Sequence, residues 1–237
     1  MRFSGLPVVL LHAFPLDSRM WDDVHIDGLV TPDQRGFGSA PLGSDPPDLA
    51  AAAADVIALL DGRRVVLGGC SMGGYVAMAV LRAAPSLVAG LVLVDTRAAA
   101  DSSEARSNRL LAADRVASEG VDWIPDAMLS SLLGPGAGPA VVERTRALIL
   151  DQDPAAVAWA QRAMAARPDS GALLRSLDVP TLIVRGADDS LIPRAEADAL
   201  AELMPGAEVV ELAGAGHLPP LETPVEFTST LRAWLAG

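Results

Sequence analysis

Gly68-Gly69-Cys70-Ser71-Met72-Gly73-Gly74 stands between a β-branched run, Arg64 to Gly68, and the apolar helical segment YVAMAVLRAA at 75–84. Strand, glycine-rich turn and helix in that order make residues 69–73 a GxSxG bend with serine at its apex. So sharp a turn holds its central residue in a strained backbone conformation, and only small residues two positions to either side let strand and helix approach. Gly69 and Gly73 fill both positions. The hydroxyl is then raised above the sheet, over the free N–H groups of a helix N-terminus, where developing negative charge is favoured. Ser71 is the candidate nucleophile. A phosphate-cradling reading of the same glycines lacks the lysine of a P-loop, and a dinucleotide fingerprint fails because the spacing is not GxGxxG. Cys70 is a poor alternative, since centring the bend on it puts Met72 where the second small residue must be; it reads as a buried apolar filler.

GxSxG also arises by chance in ordinary loops, so the reading requires partners elsewhere in the chain. A serine hydroxyl is a weak nucleophile at neutral pH and needs a histidine base, which in turn needs a carboxylate to orient it. His217 lies in Gly214-Ala215-Gly216-His217-Leu218-Pro219, a loop after the last expected strand. His25 has no comparable setting and reads as a surface residue, whereas His12 ends the first strand and reads as shaping a loop. For the acid, Gly186-Ala187-Asp188-Asp189-Ser190 follows the strand Thr181 to Arg185. Asp189 ranks first, Asp188 second and Asp95, at the end of Leu91 to Val94, third; spacing alone does not separate neighbouring carboxylates. The resulting order of serine, aspartate, histidine along the chain is the one expected when the nucleophile sits on such a bend. Two backbone donors must meet the tetrahedral oxygen. Met72 N–H supplies one by position and Phe14 N–H, in His12-Ala13-Phe14-Pro15, the other, because Pro15 has no N–H to donate.

Short apolar runs recur at Val8 to Leu11, Arg64 to Gly68, Leu91 to Asp95, Thr181 to Arg185 and Ala207 to Leu212, with a weaker one at Gly28 to Thr31 before the turn-rich loop PDQRGFG. Helical-period segments alternate with them at Asp48 to Leu60, Met72 to Ala84, Arg194 to Leu203 and Pro224 to Leu235. Alternation of this kind predicts an α/β fold with a mostly parallel sheet of about six strands flanked by helices. From Arg97 to Leu177 the strand signal disappears, and helices are expected at Ser103 to Ser118, Val121 to Leu133, Ala140 to Leu150 and Pro154 to Ala166. This predicts a core of residues 1–96 and 178–237 with an all-α cap, 97–177, inserted over the C-terminal edge of the sheet.

Composition narrows the chemistry further. The 237 residues are 51% hydrophobic and 20% charged, the balance of a globular protein of one domain with an insertion. Thirty acidic residues against eighteen basic ones leave a net charge of -12, which removes the phosphate attraction that drives nucleic-acid binding. All eighteen basic residues are arginine, so Schiff-base and P-loop lysine chemistry is excluded. One cysteine and three histidines leave no internal disulfide and little material for a metal centre, so no metal and no cofactor are expected. The segment MRFSGLPVVLLHAFPL has an apolar run of five residues, Pro7 to Leu11, without a signal-peptide pattern, and no apolar window is long enough for a membrane span. A cytoplasmic protein without nucleic-acid or membrane partners is expected, as monomer or homo-oligomer.

With these pieces in place the chain resembles the α/β-hydrolase superfamily, in particular its small esterase and lactonase-like members of the 3-oxoadipate enol-lactonase and carboxylesterase type. The resemblance spans nearly the whole length through LLHAFPLDSRMW (10–21), DQRGFGSA (33–40), GGCSMGGYVA (68–77), VPTLIVRGADDSLIP (179–193) and AGAGHLPPLETP (213–224). It implies Ser71 as nucleophile, His217 as base and Asp189, the aspartate four residues before Pro193, as acid. Two departures stand out. Ala13 replaces the usual glycine after the oxyanion-loop histidine, which implies a narrower loop, and only six residues precede Pro7 where the family has a β-hairpin, hence six strands rather than eight. The implied reaction is cleavage of a carboxylic ester or lactone of a small, largely apolar substrate. Trp21, Trp123, Met128, Trp159 and Leu218 are candidate pocket residues, with Phe14, Met20 and Met164 also suited by type. The acidic net charge disfavours a polyanionic substrate. Cofactor-free haloperoxidase or perhydrolase members and carbon–carbon bond hydrolases share the triad, and the fold also serves as a non-catalytic small-molecule receptor.

Overall fold

The computed structural model describes residues 3–237. Met1 and Arg2, which begin the N-terminal segment read above, lie outside them. Six strands form one parallel sheet: β1 (Val8–Leu11), β2 (Leu29–Val30), β3 (Val65–Cys70), β4 (Val88–Val94), β5 (Thr181–Gly186) and β6 (Glu208–Leu212), in the spatial order β2-β1-β3-β4-β5-β6. Every residue of β1, β3 and β5 is buried, which accounts for their near-continuous apolar runs, because a parallel sheet carries helices on both faces. β6 differs from that expectation. It is an edge strand with exposed Glu208, Val209 and Glu211, and its charges blunt an edge that would otherwise invite pairing with another chain.

Helices α1 (Leu49–Leu60) and α2 (Met72–Ala83) join the first half of the sheet, α8 (Arg194–Leu203) follows β5, and the short α9 (Pro219–Glu222) and α10 (Pro224–Ala236) close the chain. Between β4 and β5 the chain is helical throughout: α3 (Ser103–Glu119), α4 (Ile124–Leu132), α5 (Pro139–Leu150), α6 (Pro154–Ala166) and the short α7 (Gly171–Arg175). The starts are set by local chemistry. Ser102 accepts the Ala105 N–H at 3.1 Å at the head of α3, and Asp153 accepts that of Ala155 at 2.7 Å, with Pro154 in the first turn of α6 where its missing N–H costs nothing. α3 packs along α6. No helix among the described residues is long and apolar enough to cross a membrane.

The strand order positions the site. From β1 the chain steps one way to β2, then returns to place β3 on the other side of β1 and continues outward. The loops leaving the C-terminal ends of β1 and β3 therefore diverge, and such a switch point opens a crevice above the sheet. Phe14 follows β1 and Ser71 follows β3.

Candidate active site

Ser71 occupies φ 52°, ψ −111°, a conformation that side-chain-bearing residues rarely adopt. It is the residue before α2, where a serine hydroxyl ordinarily caps the helix, yet here it makes no cap hydrogen bond. The oxygen is thus left available at a helix N-terminus. The Ser71 N–H continues the sheet ladder to Val94 C=O at 2.9 Å, and its own carbonyl accepts from Gly74 N–H, Tyr75 N–H and Thr96 Oγ1. Strain is held from both sides. A Cβ on Gly69 would overlap the Gly73 backbone, and one on Gly73 would overlap the Leu11 carbonyl, so both small residues read from the sequence have a steric cause.

His217 and Asp189 meet on the neighbouring loops. His217 Nδ1 donates to Asp189 Oδ2 at 2.8 Å with both side chains fully buried, while Nε2 is buried without a hydrogen-bond partner among the described residues. Asp189 Oδ1 accepts from Leu191 N–H (2.8 Å) and Ile192 N–H (3.0 Å). Burial opposes ionisation of Asp189, but the hydrogen bonds from His217 and Ile192 outweigh it and hold the carboxyl below its usual value. Asp188 is exposed and only its N–H is engaged, by Ala215 C=O at 2.9 Å, so Asp189 alone of this pair reaches the imidazole. The histidine loop lies against the serine bend through Cys70 Sγ, 3.5 Å from His217 C=O.

Asp95 is part of the same buried group. Its carboxyl oxygens accept the Gly186 N–H at 3.0 and 3.1 Å, and it lies close enough to Asp189 for the two carboxyls to act on each other's ionisation. Two carboxyls in contact cannot both ionise, and burial together with the Asp189 charge pushes Asp95 well above the ordinary value. Asp95 is therefore driven toward the neutral form, and Asp189 toward the ionised form. Burial likewise pushes the Cys70 thiol up, with the nearby carboxylates adding to it, which leaves Cys70 an inert filler.

Glu222 was not singled out by sequence reasoning, yet its carboxylate gathers three N–H groups around the histidine: Gly216 and Leu218 at 3.0 Å on one oxygen and Gly134 at 2.7 Å on the other. His217 N–H bonds Leu132 C=O at 3.1 Å, so α4 and its following turn also fix the loop. His12 is buried and structural. It bonds Ala13 C=O through Nδ1 (3.1 Å) and accepts the Gln34 N–H through Nε2 (2.9 Å), tying the DQRGFG loop to the loop after β1, and burial lowers its pKa to about 4. Asp33 completes that brace by accepting from Ser18 N–H and Ser39 N–H. Phe14 N–H has no acceptor among the described residues, and Met72, at the start of α2, has none within its helix.

A cavity of about 100 Å³ contains Ser71 in its wall and is lined by Phe14, Tyr75, Met128, Met164, Leu191 and Ile192, with Arg97, Arg109 and Gln161 on its polar side. Met128 thus faces the candidate nucleophile. The other four residues suggested for the pocket lie elsewhere. Trp21 packs on Phe227, Trp123 stacks under Arg115, Trp159 donates its Nε1–H to Asp45 C=O at 3.0 Å, and Leu218 is enclosed in the core. The aromatic rings hold the insertion and the flanking loops together instead of lining the cavity. A larger groove of about 300 Å³ lies between α1, α2 and the end of α6; it shares Tyr75 and Arg97 with the first cavity but reaches none of Ser71, Asp189 or His217. Among the described residues no group of three or more His, Cys, Asp or Glu is placed to hold a metal ion.

A model of the alpha/beta hydrolase family matches residues 8–230. The chain belongs to that family. Among solved structures it is similar to a thermophilic esterase from Thermogutta terrifontis, solved with malate bound, at 41% identity and a TM-score of 0.94 over 98% of this chain and 90% of the other. The enol-lactonase from Burkholderia xenovorans LB400 is 25% identical with a TM-score of 0.88, covering 100% of this chain and 94% of the other. A non-heme chloroperoxidase of Streptomyces lividans is 30% identical over 90% of this chain and 86% of its own. This α/β hydrolase thus has esterase, lactonase and peroxidase-named neighbours, in keeping with the esterase and lactonase-like resemblance of its motifs.

Proposed function

We propose that the protein is a serine hydrolase that cleaves a carboxylic ester or lactone of a small substrate through an acyl-enzyme on Ser71. The observation that carries this reading is the orphan nitrogen: a buried His217 is held by Asp189 through Nδ1 and leaves Nε2 without a partner among the described residues, on a loop that touches, through Cys70, the bend holding a strained serine whose hydroxyl caps nothing. Because Nδ1 donates to the carboxylate, Nε2 of the neutral ring carries the lone pair that a general base needs.

In this reaction Ser71 Oγ attacks the carbonyl carbon as His217 Nε2 takes its proton. The tetrahedral oxyanion receives the N–H groups of Met72 and Phe14, and the imidazolium is stabilised by ionised Asp189. His217 then returns the proton to the departing alkoxide, leaving the acyl group on Ser71. Water enters, loses a proton to the same nitrogen and releases the acid. No metal or cofactor takes part. The helices between residues 97 and 177 act as a lid, supplying Arg109, Met128, Gln161 and Met164 to the cavity.

Pre-steady-state hydrolysis of p-nitrophenyl acetate tests the proposal: a burst of one p-nitrophenol per protein molecule, absent in Ser71→Ala, is expected. Turnover without dependence on Ser71 overturns it. The similarity to a chloroperoxidase gives one further reading, in which hydrogen peroxide replaces water in the second step and yields a peracid. Peracid formation from acetate and peroxide that exceeds ester hydrolysis in rate would favour it.

A further inference from the structure

Three guanidiniums converge on one buried carboxylate beside the cavity that holds Ser71. Asp101 accepts from Arg97 Nη2 at 2.9 Å, Arg109 Nε at 2.6 Å and Arg167 Nη2 at 2.8 Å. The next acid, Glu196, stands 3.8 Å from Arg97. Even with Glu196 counted, positive charge is in excess here, although the chain as a whole carries -12.

The three arginines are not equivalent. Arg167 is almost wholly buried, donates to Met164 C=O and Ala99 C=O at 3.0 and 3.1 Å and lies 4.1 Å over the Tyr75 ring, so its bonding is taken up by structure. Arg97 and Arg109 both line the cavity that contains Ser71, each with about a fifth of its side chain accessible. Among the described residues Arg97 Nε is buried with no hydrogen-bond partner, and Arg109 Nη1 meets the neutral Gln161 Oε1 at 3.0 Å. Three guanidiniums set against two carboxylates, two of the three facing the cavity and partly desolvated, make an incomplete charge arrangement, and an anionic group entering the cavity completes it.

We propose that Arg97 and Arg109 bind a carboxylate carried by the substrate, which makes the preferred substrate a short ester with a free carboxylate a few bonds from the scissile carbonyl. The inference rests on the hydrolase reading above. It also revises the expectation of a largely apolar substrate, because the local field at the cavity outweighs the net charge of the chain. Volume sets the scale: the cavity is small, about 100 Å³, so the group between carbonyl and carboxylate is short.

The test compares near-isosteric esters that differ in charge. Monomethyl succinate against methyl butyrate places the carboxylate on the acyl side, and O-acetylglycolate against ethyl acetate places it on the alcohol side. In at least one pair the wild-type protein is expected to favour the anionic ester about tenfold to hundredfold in kcat/KM, the scale of a charge-assisted hydrogen bond to arginine. Arg109→Gln and Arg97→Gln should lower that ratio at least about tenfold, mainly through KM, with Arg109→Lys retaining part of it. A neutral preference in both pairs overturns the inference, as does an anionic preference that survives both glutamine variants. The wild-type comparison needs no variant to fold. Labelling of Ser71 by an uncharged fluorophosphonate separates the two levels: labelling without anion preference rejects only this inference, and absence of labelling rejects the hydrolase reading beneath it.

Discussion

Asp95→Asn and Asp189→Asn separate two carboxylates that touch within one buried group. Burial and the Asp189 charge drive Asp95 toward the neutral form, so an amide in its place offers a neutral donor on the side of Asp189 and keeps an oxygen to accept the Gly186 N–H now bonded at 3.0 Å. Exchanging one neutral donor for another should alter the barrier by less than about 0.7 kcal/mol, which is a threefold change in rate. Asp189→Asn is different in kind. It removes the charge beside His217 Nδ1, gives the ring the wrong tautomer, and is expected to cost on the order of ten-thousandfold in kcat. Asp95→Ala falls between the two: it leaves the buried Gly186 N–H without its acceptor, a loss of about 1 to 3 kcal/mol in stability, while Asp189 keeps its bonds from His217, Leu191 and Ile192, and kcat falls moderately. Steady-state kcat/KM for p-nitrophenyl acetate at neutral pH, with urea unfolding of each variant, gives both readouts. A collapse of activity in Asp95→Asn with mild loss in Asp189→Asn would refute the assignment of charge and make Asp95 the ionised member.

Three other changes probe the supports of the site. Glu222→Ala should destabilise the fold by about 3 kcal/mol in urea and lower kcat more than it raises KM, because the Gly216 and Leu218 N–H groups flanking His217 lose their shared acceptor; unchanged stability would contradict this. Gly73→Ala should cost at least about 2 kcal/mol or prevent folding, since the new methyl overlaps the Leu11 carbonyl; an unchanged Tm would count against the close approach of strand and helix. His12 has a folded pKa of about 4 against 6.5 unfolded, so the unfolded chain binds more protons between these values and the contribution of His12 is present above 6.5 and lost as pH falls toward 4. From pH 7 to 5 the wild type should lose about 2 kcal/mol more stability than His12→Asn, and parallel pH curves for the two would show that His12 is not held neutral.

The serine bend was legible in the sequence because several independent constraints coincide there: a strand run, two glycines at fixed offsets and a helix that starts at once. The six-strand parallel sheet was legible for a similar reason, since strands buried on both faces write themselves as continuous apolar runs. β6 was readable as a strand but not as an edge, because position in the sheet is a property of the topology. Asp189 and Asp188 were not separable by spacing; what distinguishes them is a loop that bonds Asp189 to Leu191 and Ile192 and turns Asp188 to solvent. The pocket was read least well. Trp21, Trp123 and Trp159 have the size of pocket residues, yet each is used to pack elements together, and helical spacing looks the same for both uses. Arg97, Arg109 and Arg167 were invisible as a group because they are scattered along the chain and converge only through Asp101, while arginine is its sole basic residue type and occurs on every surface. Glu222 carried one faint signal, its place five residues after His217, where it ends the short helix α9.

All of this chemistry depends on His217 activating the hydroxyl of Ser71. Inactivation with a fluorophosphonate followed by peptide mass mapping tests it most directly. A single adduct on Ser71, formed rapidly in the wild-type protein and slowed at least about a thousandfold in His217→Ala, is the predicted result. An adduct on another residue, or equal labelling rates with and without the imidazole, would contradict the account.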